Sequence, residues 1–295
     1  MAAGAHEKVF EDERRRLFGL AYRLLGSRAD AEDAVQDTWL KWRLADADAI
    51  DNPAAWLTAA CTRRCIDMLR SAHRKRVEYT GAWLPEPIHT PVGHAAAESH
   101  EMAATLTTAF LLMLERLTPR ERAAYLLREI FGMDYAAVAE AMDMQEPAVR
   151  KLVSRAKTAV GSTAVRHVAP PERQRELLVA FQTAVTEGTT ARLAQLLTED
   201  IRITADGGGK AAAARDPIVG REAVLAFVGE RLHDWWQSYR WVEAAINGQL
   251  GFILTEGAVP VAAVTFGFDA EGRASDVFIV RNPDKLAGLV PLVRQ

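Results

Sequence analysis

The residues best suited to chemistry lie between positions 134 and 160, and that chemistry is recognition rather than turnover. Arg150, Lys151, Ser154, Arg155 and Lys157 fall on one side of a helical period, with Val149, Leu152, Val153 and Ala156 on the other. No acid lies between Pro147 and Arg166. Guanidinium, ammonium and hydroxyl donors on a short helix match the phosphates and base-edge acceptors of a DNA major groove. Just before it, Tyr135, Val138 and Met142 recur at i, i+3 and i+7, which predicts a supporting helix joined by a tight turn at residues 143–145. A helical hairpin with a solvated basic face is the competing reading of these residues.

Two further stretches concentrate charge. Residues 30–37 hold the acids Asp30, Glu32, Asp33 and Asp37 and no base, beside Gln36, on a helix whose apolar stripe is Val35, Trp39 and Trp42. Residues 63–76 hold Arg63, Arg64, Arg70, Arg74, Lys75 and Arg76 against the single acid Asp67, more cations than a helix C-terminus needs to offset its dipole. The formal charge of the whole chain is only -3, which by itself argues against a nucleic-acid binder. Sharply separated patches of opposite sign instead suggest more than one charged partner.

At 295 residues the chain predicts two or three compact units, and 49% hydrophobic residues suffice for real cores. Helices are expected over residues 9–25, 27–43, 54–76 and 98–116, the first ending at Gly26 and the second capped by Ser27. Thr118, Pro119 and Glu121 form a capping-box start for a helix that runs to Phe131. Residues 44–53 read as an irregular loop, and 77–97 as a linker rich in Pro and Gly that nevertheless contains Trp83 and Leu84 followed by Pro85. A merely flexible tether has no use for a tryptophan, so these three residues are expected to dock. After Pro170 and Pro171 the pattern changes to helices at 172–187, 190–197 and 221–232 and strands at 200–205, 239–247, 249–255, 259–268 and 274–281, an α+β domain. The two cysteines, Cys61 and Cys65, share one helix and read as core filler; they form neither a zinc motif nor a disulfide framework. No metal or cofactor is implied. No segment has the apolar length of a membrane span, so a soluble cytoplasmic protein without membrane contact is expected.

The pieces GSRADAEDAVQDTWLKW (26–42), NPAAWLTAACTRRCIDMLRSAHRKR (52–76), LTPRERAAYLLREIFGMDYAAVAEAM (117–142) and AVRKLVSRAKTAV (148–160) resemble, in order, an extracytoplasmic-function sigma factor of the sigma-70 family. The last 125 residues are similar to a SnoaL-like domain of the NTF2 superfamily, and the motifs WLPEP, DGGGK and NPDKL place the chain in a group that fuses the two. The fold this implies is multidomain: two all-α sigma domains, the second with a helix-turn-helix, and then an α+β SnoaL/NTF2-like cone. The implied boundaries are 1–76, a linker at 77–97, 98–168 and 169–295.

The resemblance also implies partners. Asp30, Glu32, Asp33, Gln36, Asp37 and Trp39 correspond to the surface that docks the β′ coiled coil of core RNA polymerase, the β flap being a further contact. Asp48, Asn52, Arg63, Arg64, Arg70, Arg74, Lys75 and Arg76 correspond to the reader of the -10 promoter element, where cations track phosphates and a pocket takes an unstacked base. Arg150, Lys151, Ser154, Arg155 and Lys157 correspond to the -35 reader. The chain departs from the family pattern at Asp143, Gln145 and Pro147, all compatible with the turn and the first helical positions. Trp83, Leu84 and Pro85, Asp206, Gly207, Gly208, Gly209 and Lys210, and Asn282, Pro283, Asp284, Lys285 and Leu286 are the expected regulatory interface, an intramolecular contact between the C-terminal domain and the sigma module. Two rivals remain: a C-terminal domain acting as a small-molecule sensor or an isomerase-like or cyclase-like enzyme, with Asp206, His233, Tyr239 and Asp276 available, and a simple operator-binding regulator. The acidic helix counts against the operator binder, which has no need of it.

Overall fold

The computed structural model describes residues 3–46, 49–77, 79–90, 104–161 and 167–289. The chain divides into two compact units, one of residues 1–77 with 113–162 and one of residues 78–112 with 163–295. The segment between the two sigma-like stretches therefore belongs with the C-terminal domain.

The first unit is entirely helical among its described residues. α1 (Ala3–Leu25), α2 (Arg28–Leu44) and α3 (Pro53–Val77) pack around Phe10, Leu17, Leu20, Leu24, Val35, Trp42, Leu57, Ile66 and Leu69, all buried. Gly26 takes φ +67, which ends α1, and Ser27 accepts from the Asp30 amide to start α2. Cys61 and Cys65 lie in this core as free, buried thiols.

α4 (Thr108–Leu114) straddles the division between the units. The helix expected over 98–116 is broken at residues 105–107, and 98–103 lie outside the described residues. One near and one distant contact account for the break: Thr107 Oγ1 accepts from the Phe110 amide, and the Leu106 carbonyl is taken by Asn247 Nδ2 rather than by the next helical turn. α5 (Pro119–Tyr125) opens with the expected capping box and continues through a π-helical turn at Leu126–Ile130. α6 (Tyr135–Met142) and α7 (Glu146–Val160) follow, and α6 packs on α3 within the same unit. Buried Arg122 on α5 donates to the Leu24 carbonyl of α1 at 2.8 Å and to Glu115 Oε1, just past α4, at 2.7 Å.

The second unit is α+β. α8 (Pro171–Glu187), α9 (Ala191–Ala194), α10 (Arg221–Ala226, continuing as a π-helical turn Phe227–Leu232) and α11 (His233–Trp236) accompany a six-stranded sheet. Its strands are β1 (Leu197–Asp206), β2 (Ile218–Val219), β3 (Arg240–Ile246), β4 (Gln249–Glu256), β5 (Val259–Phe268) and β6 (Ala274–Val280), in the order β2-β1-β6-β5-β4-β3. β1 runs parallel to β6 and every other pairing is antiparallel. β1 is longer than the expected strand at 200–205: it begins with Leu197, which is buried and pairs with Ala274 of β6, and after an irregular stretch the pairing resumes at Arg202 and runs to Asp206.

Strand alternation gives this sheet two apolar faces. Phe252, Leu254, Val264, Phe266, Val277 and Ile279 pack with Leu177, Phe181, Val228 and Trp236 of the helices. On the other face Ile246, Ile253, Ala263, Phe278 and Val280 are covered by Leu84 from the interdomain segment and by Leu286 and Leu289, next to α12 (Pro283–Leu286), with Ala109 and Leu112 alongside. Full burial of a leucine contributes about 1.5–3 kcal/mol, so Leu84 alone is a substantial anchor.

Candidate nucleic-acid interface and linker clasp

In the first unit α6 and α7 form the two arms of a helix-turn-helix. Asp134 caps α6 by accepting from the Ala137 amide at 2.7 Å, and Asp143 ends it in the left-handed conformation at φ 53. Gln145 provides no side-chain cap to α7, and Pro147 sits in its first turn, where no backbone donor is needed. Val149, Leu152, Val153 and Ala156 are buried, while Arg150, Lys151, Ser154, Arg155 and Lys157 are exposed. Arg150, Lys151, Ser154 and Arg155 line a cleft of about 730 Å³ together with Thr118 and Arg120 at the start of α5.

Most of these cations already face a carboxylate. Arg150 donates to Glu146 Oε1 through both Nε (2.9 Å) and Nη2 (2.5 Å). Arg155 lies 3.3 Å from Glu121 and Lys157 lies 2.9 Å from Glu129. The Tyr135 ring is flanked by two guanidinium groups, Arg150 at 4.1 Å and Arg128 at 4.6 Å. Lys151 and Ser154 hold no side-chain partner among the described residues. Such exposed pairs contribute little stability.

An ion pair links the other two charged helices. Asp37 Oδ2 on α2 is 2.6 Å from Arg64 Nε on α3. Glu32 pairs with Arg28 at 2.8 Å, and Asp33 and Gln36 are exposed. Trp39 is half-buried against Phe10, with ring centroids 4.9 Å apart. Leu40 and Leu44 on the same helix are 46% and 88% exposed, an apolar margin beside the acids. Arg63 is exposed, and Arg70 pairs with Asp67 at 3.3 Å. Asn52 accepts from the Ala55 amide at 3.1 Å, so its side chain caps α3. Asp48 and the side chains of Arg74, Lys75 and Arg76 lie outside the described residues.

In the second unit three motifs distant in sequence meet at Asp206, which is fully buried. Its Oδ1 accepts from Tyr79 Oη at 2.6 Å and from the Gly208 amide at 3.0 Å. Its Oδ2 accepts from the Leu84 amide at 2.9 Å and from Lys285 Nζ at 2.7 Å. Lys285 also donates to the Leu84 carbonyl at 2.5 Å and lies over the rings of Trp83 (4.5 Å) and Tyr79 (5.0 Å). The Asp206 carbonyl takes the Arg281 and Asn282 amides, while Asn282 Nδ2 donates to Tyr79 Oη at 2.8 Å. Burial, and then the Asp206 carboxylate beside it, push the Tyr79 phenol far above its usual titration range, so it stays a donor.

The glycines here serve close approach. A Cβ on Gly207 would lie 2.1 Å from the Ala211 carbonyl oxygen, and one on Gly208, at φ +59, would lie 2.2 Å from Asn282 Nδ2. A Cβ on Gly209 meets Thr80 at an easier 3.3 Å. Lys210 pairs with Asp284 at 2.5 Å on the surface. Pro85 is buried, and Pro283 starts α12 with Asn282 as its cap. Farther along, Asn247 at φ 51 holds the interdomain segment a second time, accepting from the Ile88 amide at 3.0 Å and donating to the Leu106 carbonyl at 3.1 Å.

Comparison with known proteins decides what carries these surfaces. Residues 9–75 match the family Sigma-70 region 2, and residues 107–160 match Sigma-70, region 4. The chain is 34% identical over 293 residues to the ECF RNA polymerase sigma factor SigJ of Mycobacterium tuberculosis, covering 95% of this chain and 92% of that protein. The chain belongs to the extracytoplasmic-function sigma factors. A probable sigma factor of this family from the same organism, SigI, is 29% identical over 245 residues, covering 73% of this chain and 82% of its own. The crystal structure of the M. tuberculosis SigJ protein superposes with a TM-score of 0.73 at 32% identity, covering 95% of this chain and 97% of that one.

As an ECF sigma factor the chain has RNA polymerase and promoter DNA as its partners, and helical sigma domains precede its α+β domain. Of the residues singled out in the sequence, those of WLPEP, DGGGK and NPDKL are brought together around one carboxylate. The residues on α7 share one exposed face. Sequence reasoning gave no site role to Tyr79, Asn247, Glu129 or Glu146, and read Glu121 only as part of a helix cap. Asn247 left a signal, since it stands in an Asn-Gly pair between two strand-like runs. Tyr79 left only its position four residues before Trp83.

Proposed function

We propose that this sigma factor is regulated by its own C-terminal domain, which grips the segment between the two DNA-reading regions through Asp206. The observation that carries the reading is the convergence of Tyr79, Leu84 and Lys285 on that buried carboxylate. Gripping the linker limits how far regions 2 and 4 can separate, and promoter recognition needs both held at the spacing of the -10 and -35 elements. In this reading Arg63, Arg64 and Arg70 hold -10 phosphates, α7 reads the -35 duplex, and Asp30, Glu32, Asp33, Gln36, Asp37 and Trp39 dock the β′ coiled coil. The domains 1–76, 98–168 and 169–295 are the functional parts, joined by the linker at 77–97, and they act in the cytoplasm.

The C-terminal domain acts by contact rather than by turnover. Asp206, the first candidate for a catalytic base, is occupied by four donors, and His233 Nδ1 lies 2.8 Å from the Val185 carbonyl instead of facing an open site. Deleting residues 169–295 and measuring core binding and open-complex formation tests the regulatory reading. Unchanged values in both assays sink it.

A further inference from the structure

Arg150 is held differently from the other cations of α7. One edge of its guanidinium, Nε and Nη2, donates to Glu146 Oε1 one turn earlier, at 2.9 and 2.5 Å. Its face lies over the Tyr135 ring, 4.1 Å from the centroid. The same ring carries Arg128 at 4.6 Å, and Arg128, from the π-helical turn after α5, is anchored by donating from Nη1 to the Met133 carbonyl at 2.8 Å. Among the described residues Arg155 and Lys157 each have a carboxylate and no ring, and Lys151 has no side-chain partner. Arg150 is thus fixed on an edge and on a face, from two different elements.

A guanidinium carries five N–H groups in one plane. Glu146 takes the Nε–H and one Nη2–H, which form the side of the fork. The second Nη2–H and both on Nη1 have no partner among the described residues, so the end of the fork is a free pair of parallel donors. Arg150 lines the cleft with Thr118, Lys151, Ser154 and Arg155. In a major groove guanine sets two acceptors, O6 and N7, side by side, whereas adenine sets a donor beside its N7. Two parallel donors therefore match guanine. A phosphate makes no such demand on the plane of its partner, and an unstacked lysine serves it as well. The Tyr135 ring sets the plane of the guanidinium and Glu146 sets its rotation within that plane. Ordering a long side chain beforehand removes that cost from binding. The Tyr135 hydroxyl makes no hydrogen bond among the described residues, so the ring is the part in use.

We propose that Tyr135 and Glu146 are positioning residues that present the free end of the Arg150 fork to one guanine of the -35 duplex, which makes Arg150 the reader of that base. The inference rests on α7 being the -35 reader and deepens it by naming the base and the two residues that aim at it. Lys151, a point charge with no partner among the described residues, is left for a backbone phosphate. Glu146 plays two opposed parts. Its charge repels the duplex, while its grip on Arg150 sharpens the choice of base, so removing that charge raises affinity and lowers discrimination together.

The test uses holoenzyme assembled from core polymerase and the full chain. A duplex is selected from a pool randomised over both promoter elements, and its -35 region is then varied one base pair at a time. The unaltered chain should prefer guanine at one -35 position by at least about tenfold. That preference should fall below about threefold in Arg150→Lys and Tyr135→Leu and persist in Tyr135→Phe, with the other positions unchanged in all three. Glu146→Gln should bind the selected duplex more tightly and discriminate less at that same position. A variant that folds poorly loses binding at every position; should Tyr135→Leu do so, the exposed isosteric change Glu146→Gln decides. Guanine preference that survives Arg150→Lys while the salt dependence weakens makes Arg150 a phosphate contact and overturns the proposal. Undiminished preference in both Tyr135→Leu and Glu146→Gln also overturns it, leaving the -35 reading intact. No preferred base anywhere in the -35 region of the unaltered chain removes the reading of α7 and this inference with it.

Discussion

Replacing Asp206 by asparagine removes one charge and one acceptor from the centre of the clasp. Four donors share the two carboxylate oxygens, Tyr79 and Gly208 on one and Leu84 and Lys285 on the other. An asparagine offers a single oxygen, so in either orientation two donors face its NH₂ group. Lys285, whose side chain is only 13% exposed, loses its counter-charge and keeps the Leu84 carbonyl and two aromatic faces. Breaking a buried ion pair by removing one partner costs about 3–5 kcal/mol, and these surviving contacts place the loss near the lower end, about 3 kcal/mol. For a unit of this size that lowers Tm by roughly 6–12 °C. Scanning calorimetry of the full chain should show the loss in the transition of the second unit, with hydrogen exchange at the Leu84 amide accelerating in parallel. Lys285→Met should be non-additive with Asp206→Asn by at least about 1 kcal/mol. A Tm change under about 2 °C, or simple additivity, refutes the reasoning that the clasp rests on this charge.

The remaining predictions concern other surfaces. Glu121→Gln, Glu129→Gln and Glu146→Gln each free a cation on α7 and should tighten binding of a -35 duplex by up to about fivefold at low salt, with the gain fading as salt rises; fluorescence anisotropy across a salt series reads this. Reversing Asp33 and Asp37 to lysine should abolish copurification with core polymerase, and normal copurification of that double variant contradicts the assignment of α2. Gly208→Ala forces a side chain into Asn282 at φ +59 and should destabilise the second unit by about 1–3 kcal/mol in denaturant melts. Asp276 has a raised carboxyl pKa, so the folded state holds its proton more tightly than the unfolded chain. Its contribution is therefore most favourable below the ordinary aspartate value and is lost as pH rises through the folded value; Asp276→Asn should flatten that part of the stability-pH profile.

Local signals carried most of the helical half. Ser27 as a cap, the box formed by Thr118 and Glu121, Asp143 in the left-handed turn and the 3.6-residue spacing of α7 are written within a few residues of where they act. The break at residues 105–107 is not, because Asn247, some 140 positions away, takes the Leu106 carbonyl. The clasp was half legible. Trp83 in a proline-rich segment signalled docking, but which carboxylate received it depended on strand register, which places Asp206 at the end of β1 beside Val280. The charged pairs followed the same rule. Spacing exposed the cations of α7, whereas their partners Glu121 and Glu129 come from α5 and the turn after it, a proximity set by helix packing.

The most direct test of the central claim is promoter-specific transcription in vitro with purified core polymerase, comparing the full chain, Asp206→Asn and the chain lacking residues 169–295. The account predicts that the full chain directs initiation and that both alterations change the yield of open complex in the same direction. Identical yields from all three proteins would contradict it.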